Sequence, residues 1–135
     1  MSVTVRLQHI TKRFNDFLAV KDLSLSVQAG AFHLLLGPSG SGKTTVLRTI
    51  AGLERPSGGQ IYFDDEEVTH KPASARGIGM VFQNYALWPH MTVYDNIAYP
   101  LKVHGASKGS IEKRVDEVLA ITRLKEVKGR YPSEL

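Results

Sequence analysis

The sequence predicts an α/β fold on three observations. The run Gly37-Pro38-Ser39-Gly40-Ser41-Gly42-Lys43-Thr44 fits the pattern G-x-x-x-x-G-K-[ST], and it lies between a strand-like apolar run, Phe32–Leu36, and a helix-like stretch, Thr44–Ala51. Short strand-like runs fill the rest of roughly the first 90 residues, bounded by turn residues. The remainder carries helical periodicity and no strand signal.

In chain order, Val3-Thr4-Val5-Arg6-Leu7 alternates apolar and polar residues, as a half-buried strand does, and Leu23-Ser24-Leu25-Ser26-Val27 repeats the pattern. Ala29-Gly30 reads as a turn into Phe32–Leu36, which is apolar enough for a strand buried on both faces of a parallel sheet. Val46, Leu47, Ile50 and Leu53 recur at helical spacing, and Gly52 and Pro56 bracket the end of that helix. Pro56-Ser57-Gly58-Gly59 is a turn, Ile61-Tyr62-Phe63 a short strand, and Gly77–Phe82 a further buried strand. Thr92 with Asp95 three residues on starts a helix that Pro100 is expected to kink or end. Ser107 to Ser110 separates it from a helix over Ile111–Leu124, with Ile111, Val115, Val118, Leu119 and Thr122 along one face. The division expected is a core over residues 1–92 and the start of a helical subdomain over 93–135. The first comprises the glycine-rich loop, an antiparallel β part and the stretch through Gln83.

Composition narrows the class. A chain of 135 residues with 42% apolar and 22% charged residues has the make-up of one globular domain with a real core. It has no cysteine, which excludes disulfides and thiolate metal sites. No apolar run reaches the ~20 residues of a membrane span, and Met1–Arg6 lacks the pattern of a signal peptide, so a membrane role is expected to be peripheral. The net charge of +4 arises wholly in residues 68–135, where the charges alternate in sign and form no block. That reads as a solvated helix face, and no nucleic-acid partner is expected.

The residue types of the loop suit a polyphosphate. Its glycines permit a tight turn in which successive backbone N–H groups converge on an anion, and the helix that follows adds its positive end. Lys43 suits the β- and γ-phosphates, the Thr44 hydroxyl suits Mg²⁺, and Thr45 suits a more proximal phosphate. Two other polar features read differently. Asp64-Asp65-Glu66-Glu67 follows a short strand and reads as a solvated turn, and His33 reads as structural rather than catalytic.

Four further segments, in this order, resemble the ATP-binding subunit of ABC transporters. Ile10-Thr11-Lys12-Arg13-Phe14 is similar to the loop whose aromatic ring stacks on adenine, with Phe where the family more often has Tyr. Ala51–Gly59 is similar to the family's linker after the loop helix. Gly79-Met80-Val81-Phe82-Gln83 is similar to the strand entering the Q-loop. Tyr131-Pro132-Ser133-Glu134-Leu135 is similar to the approach to the signature motif. Ala86–Val93 and Asn96–Leu101 give the likeness an importer flavour, of the sugar, polyamine, iron(III) or sulfate type.

The resemblance implies a P-loop NTPase fold of the ABC nucleotide-binding type, here its N-terminal portion with the start of the helical subdomain. It implies ATP and Mg²⁺ at Phe14, Gly37, Pro38, Ser39, Gly40, Ser41, Gly42, Lys43, Thr44 and Thr45. Mg²⁺ would be held at Thr44 and Gln83, with Lys43 and Gln83 serving catalysis. The loop after Gln83, with Tyr85, Leu87, Trp88 and Met91, is expected either to meet a transmembrane permease subunit or to cover the core locally. The complete subunit is expected to pair head-to-tail and to sit in the cytoplasm at the inner face of the membrane. Leu135 stands where the family's Leu-Ser-Gly-Gly-Gln begins. The signature, the Asp and adjoining Glu of the second nucleotide motif and the switch His therefore lie outside these residues. The chain alone is expected to hold ATP but not to split it efficiently, and to be marginally stable for want of sheet neighbours. The alternative function is a non-catalytic nucleotide-binding or regulatory fragment.

Overall fold

The computed structural model describes residues 2–84 and 86–135. The chain forms two compact units that divide between Met80 and Val81, so residues 81–92 cluster with the helices that follow them.

The first unit is built on a four-stranded antiparallel sheet of order β2-β1-β3-β4. Its strands are β1 (Val5–Phe14), β2 (Phe17–Val27), β3 (Gly58–Phe63) and β4 (Glu66–Glu67). β1 and β2 form a hairpin closed at Asn15-Asp16, where Phe14 pairs with Phe17. Both strands are longer than simple alternation suggests. Leu7 and Ile10 are both buried although three residues apart, because the register slips between them and His9 takes a φ of 52°. The extra residue restores the inward face after the bulge.

Helix α1 (Lys43–Ile50) lays Val46 and Ile50 against the sheet core of Leu7, Ile10, Val20, Ile61, Phe63 and Val68. Its end has the predicted glycine. Gly52 has a φ of 77°, its N–H donates to the Thr49 carbonyl, and Leu53 N–H donates to that of Arg48, which is the Schellman arrangement.

Arg76, unmarked in the sequence, completes that helix end. Its side chain is only 6% exposed and donates to four backbone carbonyls: Thr49 and Ile50 in the last turn of α1, Thr69 and Lys71 in the adjoining chain. A rigid guanidinium satisfies carbonyls that the helix leaves without donors, at the end where the helix dipole favours a cation. Burial lowers the Arg76 pKa from its usual value.

Two predicted strands are absent. Residues 31–38 and 78–82 carry no regular structure. Phe32, Leu34 and Leu36 are 92%, 63% and 83% exposed, and Val81 is 90% exposed. An apolar run becomes a strand only when a neighbour accepts its ladder hydrogen bonds, and among the described residues neither run has one.

The second unit packs α2 (Val93–Val103) against α3 (Lys108–Ile121) through Val93, Ala98, Ile111, Val115 and Leu119. The Thr92 hydroxyl accepts from the Asp95 N–H, as the spacing predicts. Hydrogen bonds from Lys102 and then Thr92 hold the Asp95 carboxyl below its usual pKa. Pro100 does not end α2, which continues to Val103. The ring removes only the bond to the Asn96 carbonyl and is itself exposed. α3 starts at Lys108, three residues before its first apolar position, because Ser107 caps it by accepting from the Ser110 N–H. No described helix is long and apolar enough to cross a membrane.

Two substitutions test these helix ends. Arg76→Met leaves buried carbonyls without donors and is expected to destabilise the first unit by about 3 kcal/mol, with Arg76→Lys restoring only part of it. Arg123 holds a φ of 58° after α3, donating to the Ala120 carbonyl in the position Gly52 takes after α1. Arg123→Gly is expected to raise stability by about 0.5–1 kcal/mol, read as a higher Tm.

Candidate functional site

The loop Gly37–Thr44 turns into α1 at Gly42, which is the helix N-cap at a φ of 86° and offers no side chain to its N–H groups. A Cβ at Gly42 would stand 2.6 Å from the Ala19 carbonyl oxygen of β2. Glycine is therefore required twice over, by the left-handed backbone and by the strand pressed against it. With no side chain capping it, the start of α1 keeps its donors for an anion.

Lys43 folds back over the loop. Its ammonium donates to the Gly37 carbonyl at 2.9 Å, the Pro38 carbonyl at 2.6 Å and the Ser41 hydroxyl at 3.1 Å. The loop is thereby held in a bend around a positive charge. Thr44 is exposed and Thr45 half-buried on the first turn.

A cavity of about 240 Å³ joins this loop to the hairpin, lined by Gly40–Thr45 on one side and by Phe14, Phe17 and Ala19 on the other. The Phe14 ring carries the Lys12 ammonium 4.7 Å from its centroid, and Lys12 is fixed in turn by the Arg55 carbonyl at 2.8 Å and Glu54 at 3.2 Å. One end of the cavity thus offers flat apolar surface and the other offers N–H donors, hydroxyls and a cation. That combination suits a ligand with an aromatic end and a polyanionic end.

The first unit brings seven of its predicted residues together. Phe14, Gly40, Ser41, Gly42, Lys43, Thr44 and Thr45 share the cavity. Gly37 and Pro38 line a neighbouring hollow of about 300 Å³ with Leu35, Leu36 and Val46, and Ser39 is exposed in the turn. Gln83 is exposed in a turn of the second unit. Tyr85 lies outside the described residues. Leu87 and Trp88 are half exposed, and Trp88 meets His90 and Tyr99 edge-on or tilted. Asn96 fixes that loop, accepting from the Trp88 N–H and donating to the carbonyls of Trp88, Met91 and Thr92.

The acidic run is a turn at Asp64-Asp65 followed by the exposed β4, in which Glu66 pairs with Lys71 and Glu67 accepts from Thr69. No cluster of metal-ligating side chains occurs among the described residues. His33 is exposed. The lining residues that sequence reading missed are Ala19 and Phe17, and of these Phe17 is the larger. Its signal was the two-residue turn, which sets it opposite Phe14.

Loop, helix and apolar approach define the core of a P-loop nucleotide-binding fold, and comparison with known proteins narrows the class. The family model described as ABC transporter matches residues 20–135. A sulfate/thiosulfate import ATP-binding protein of Agrobacterium fabrum is 47% identical over 133 residues, covering 97% of this chain and 39% of the relative. A trehalose/maltose import ATP-binding protein of Thermococcus litoralis is 52% identical over 137 residues, covering 97% and 37%. Among solved structures, the dimeric MJ0796 bacterial ABC transporter cassette superposes with a TM-score of 0.88 at 30% identity, covering 97% of this chain and 62% of that one. Its post-hydrolysis state bound to ADP and Pi gives 0.85 at 32% identity. The chain belongs to the ABC transporter family. It spans about two-fifths of the length of the curated relatives it matches.

Gly42→Ala is expected to distort the start of α1 and to lower the stability of the first unit by about 2 kcal/mol. Gly40→Ala, where a Cβ meets nothing within 4 Å, is expected to cost less. Thermal denaturation of the two variants side by side checks the ranking.

Proposed function

We propose that these residues form the nucleotide-holding part of an ABC importer's ATP-binding subunit, with ATP and Mg²⁺ as its ligands. The single observation that supports this most is the cavity shared by Phe14 and Gly40–Thr45, which pairs a stacking surface with a phosphate loop in a chain of this family.

In this reading the adenine stacks on Phe14, whose ring is already polarised by Lys12. The phosphates lie along the N–H groups from Gly37 through Thr45, including those at Pro38-Ser39-Gly40, where Ser39 and Gly40 donate and Pro38 shapes the turn. Lys43 neutralises the β- and γ-phosphates, and Thr45 donates to a nearer phosphate. The Thr44 hydroxyl would hold Mg²⁺, which when bound would neutralise charge developing on the phosphates; Gln83 is its second ligand only as the family resemblance implies. Gln83 orients the attacking water through its amide oxygen. Hydrolysis calls for carboxylate and signature groups that these residues do not include; in a head-to-tail pair of complete subunits the signature would come from the opposite subunit.

The half-exposed loop after Gln83, with Leu87 and Trp88, is the surface proposed to meet a transmembrane permease subunit. The working location is peripheral, in the cytoplasm at the inner face of the membrane. Import of a solute is the proposed function; sulfate/thiosulfate and trehalose/maltose are named for two relatives and are candidate classes here.

The test is titration of the chain with Mg-ATP. A Kd in the micromolar range is expected, weakened about thirtyfold or more in Lys43→Ala by loss of charge-assisted contacts to phosphate. A chain that melts cooperatively yet shows no affinity for Mg-ATP rejects the proposal.

A further inference from the structure

Phe17 is not part of the phosphate loop or of the aromatic position that the family resemblance marks, yet it lines the same cavity. It is the direct antiparallel partner of Phe14 across the two-residue turn at Asn15-Asp16. Paired residues in an antiparallel ladder project from the same face, with Cβ atoms roughly 5 Å apart. The two rings therefore emerge on one face of the hairpin, and both line the cavity.

Phe17 is 63% exposed and belongs to neither hydrophobic core. Holding a large apolar ring in water at a hairpin end does nothing for the stability of the sheet. Its neighbours in the cavity are Phe14, Ala19 and Gly40–Thr45. Phe14 has one face engaged by the Lys12 ammonium. Together the two rings put more apolar surface on the cavity wall than Phe14 alone, which favours a bicyclic base over a single ring.

We infer that Phe17 is a second base-contacting residue, which widens the Phe14 platform and sets a preference for purine over pyrimidine nucleotides. The inference rests on the reading of the cavity as a nucleotide site. Ala19, the other apolar wall, is too small to replace the contact. The lining between the rings and the loop presents no polar side chain from the hairpin to read a base edge. Selection at this end therefore works by stacking area, which distinguishes two fused rings from one and not adenine from guanine.

The experiment compares the unmutated chain with Phe17→Ala and Phe17→Tyr, titrating each with Mg-ATP, Mg-CTP and inorganic Mg-tripolyphosphate. Tripolyphosphate probes the loop without a base. Phe17→Ala is expected to weaken Mg-ATP roughly five- to tenfold, to weaken Mg-CTP less than twofold and to leave tripolyphosphate unchanged; Phe17→Tyr keeps the ring and is expected to retain Mg-ATP affinity. Equal Mg-ATP affinity in Phe17→Ala and the unmutated chain overturns the inference and leaves the nucleotide site standing. Parallel loss of all three ligands in Phe17→Ala overturns it too, since that marks a structural role. An unmutated chain that binds neither tripolyphosphate nor ATP removes the nucleotide site and this inference together.

Discussion

The packing of α1 on the antiparallel sheet is the contact from which the rest of the first unit takes its position. Val46 and Ile50 join the cluster that holds Leu7, Ile10 and Ile61, so apolar burial locates the helix on the sheet. Both ends are then pinned by polar or steric means. At the start, Gly42 lets the backbone close onto the Ala19 carbonyl. At the finish, Arg76 ties the last carbonyls to the chain beyond β4. A helix located this firmly fixes where its N-terminal N–H groups point, and that direction is what a phosphate loop needs.

How much of this was legible in the sequence depended on whether the determinant was local. The loop was legible because its chemistry is carried by residue type at fixed spacing from Gly37 to Thr44. The end of α1 at Gly52 and the cap at Thr92 were legible for the same reason. The strands read at Phe32–Leu36 and Gly77–Phe82 did not form, because a strand is defined by its neighbour; the want of sheet neighbours was expected, and at Phe32–Leu36 it leaves the apolar side chains exposed. The bulge at His9 hid the full length of β1 by breaking its alternation. Arg76 left no signal at all. A lone arginine after a small-residue turn looks like surface charge until the fold brings four carbonyls to it.

The cavity also divides its labour by chemistry. The loop end presents backbone N–H groups, a lysine and hydroxyls, and in the proposed reading nearly every position from Gly37 to Thr45 is constrained by them. The hairpin end presents ring surface, which a range of aromatic residues can provide. Phe14 in place of the family's more frequent Tyr alters little there, while an equivalent change at Gly42 would meet the strand behind it.

Lys43 carries a consequence for energetics. Its ammonium already holds three oxygen partners within its own loop. In the proposed reading, a phosphate oxygen arriving at that nitrogen would take over from a carbonyl, and the lysine would swap partners instead of finding its first. The net enthalpy of that swap is smaller than a simple charge–charge contact suggests. What the loop gains is order in advance: the side chain's rotamers are already restricted, and the cost of restricting them is met in folding rather than in binding. The internal carbonyls act as a stand-in ligand that keeps the cradle bent to size.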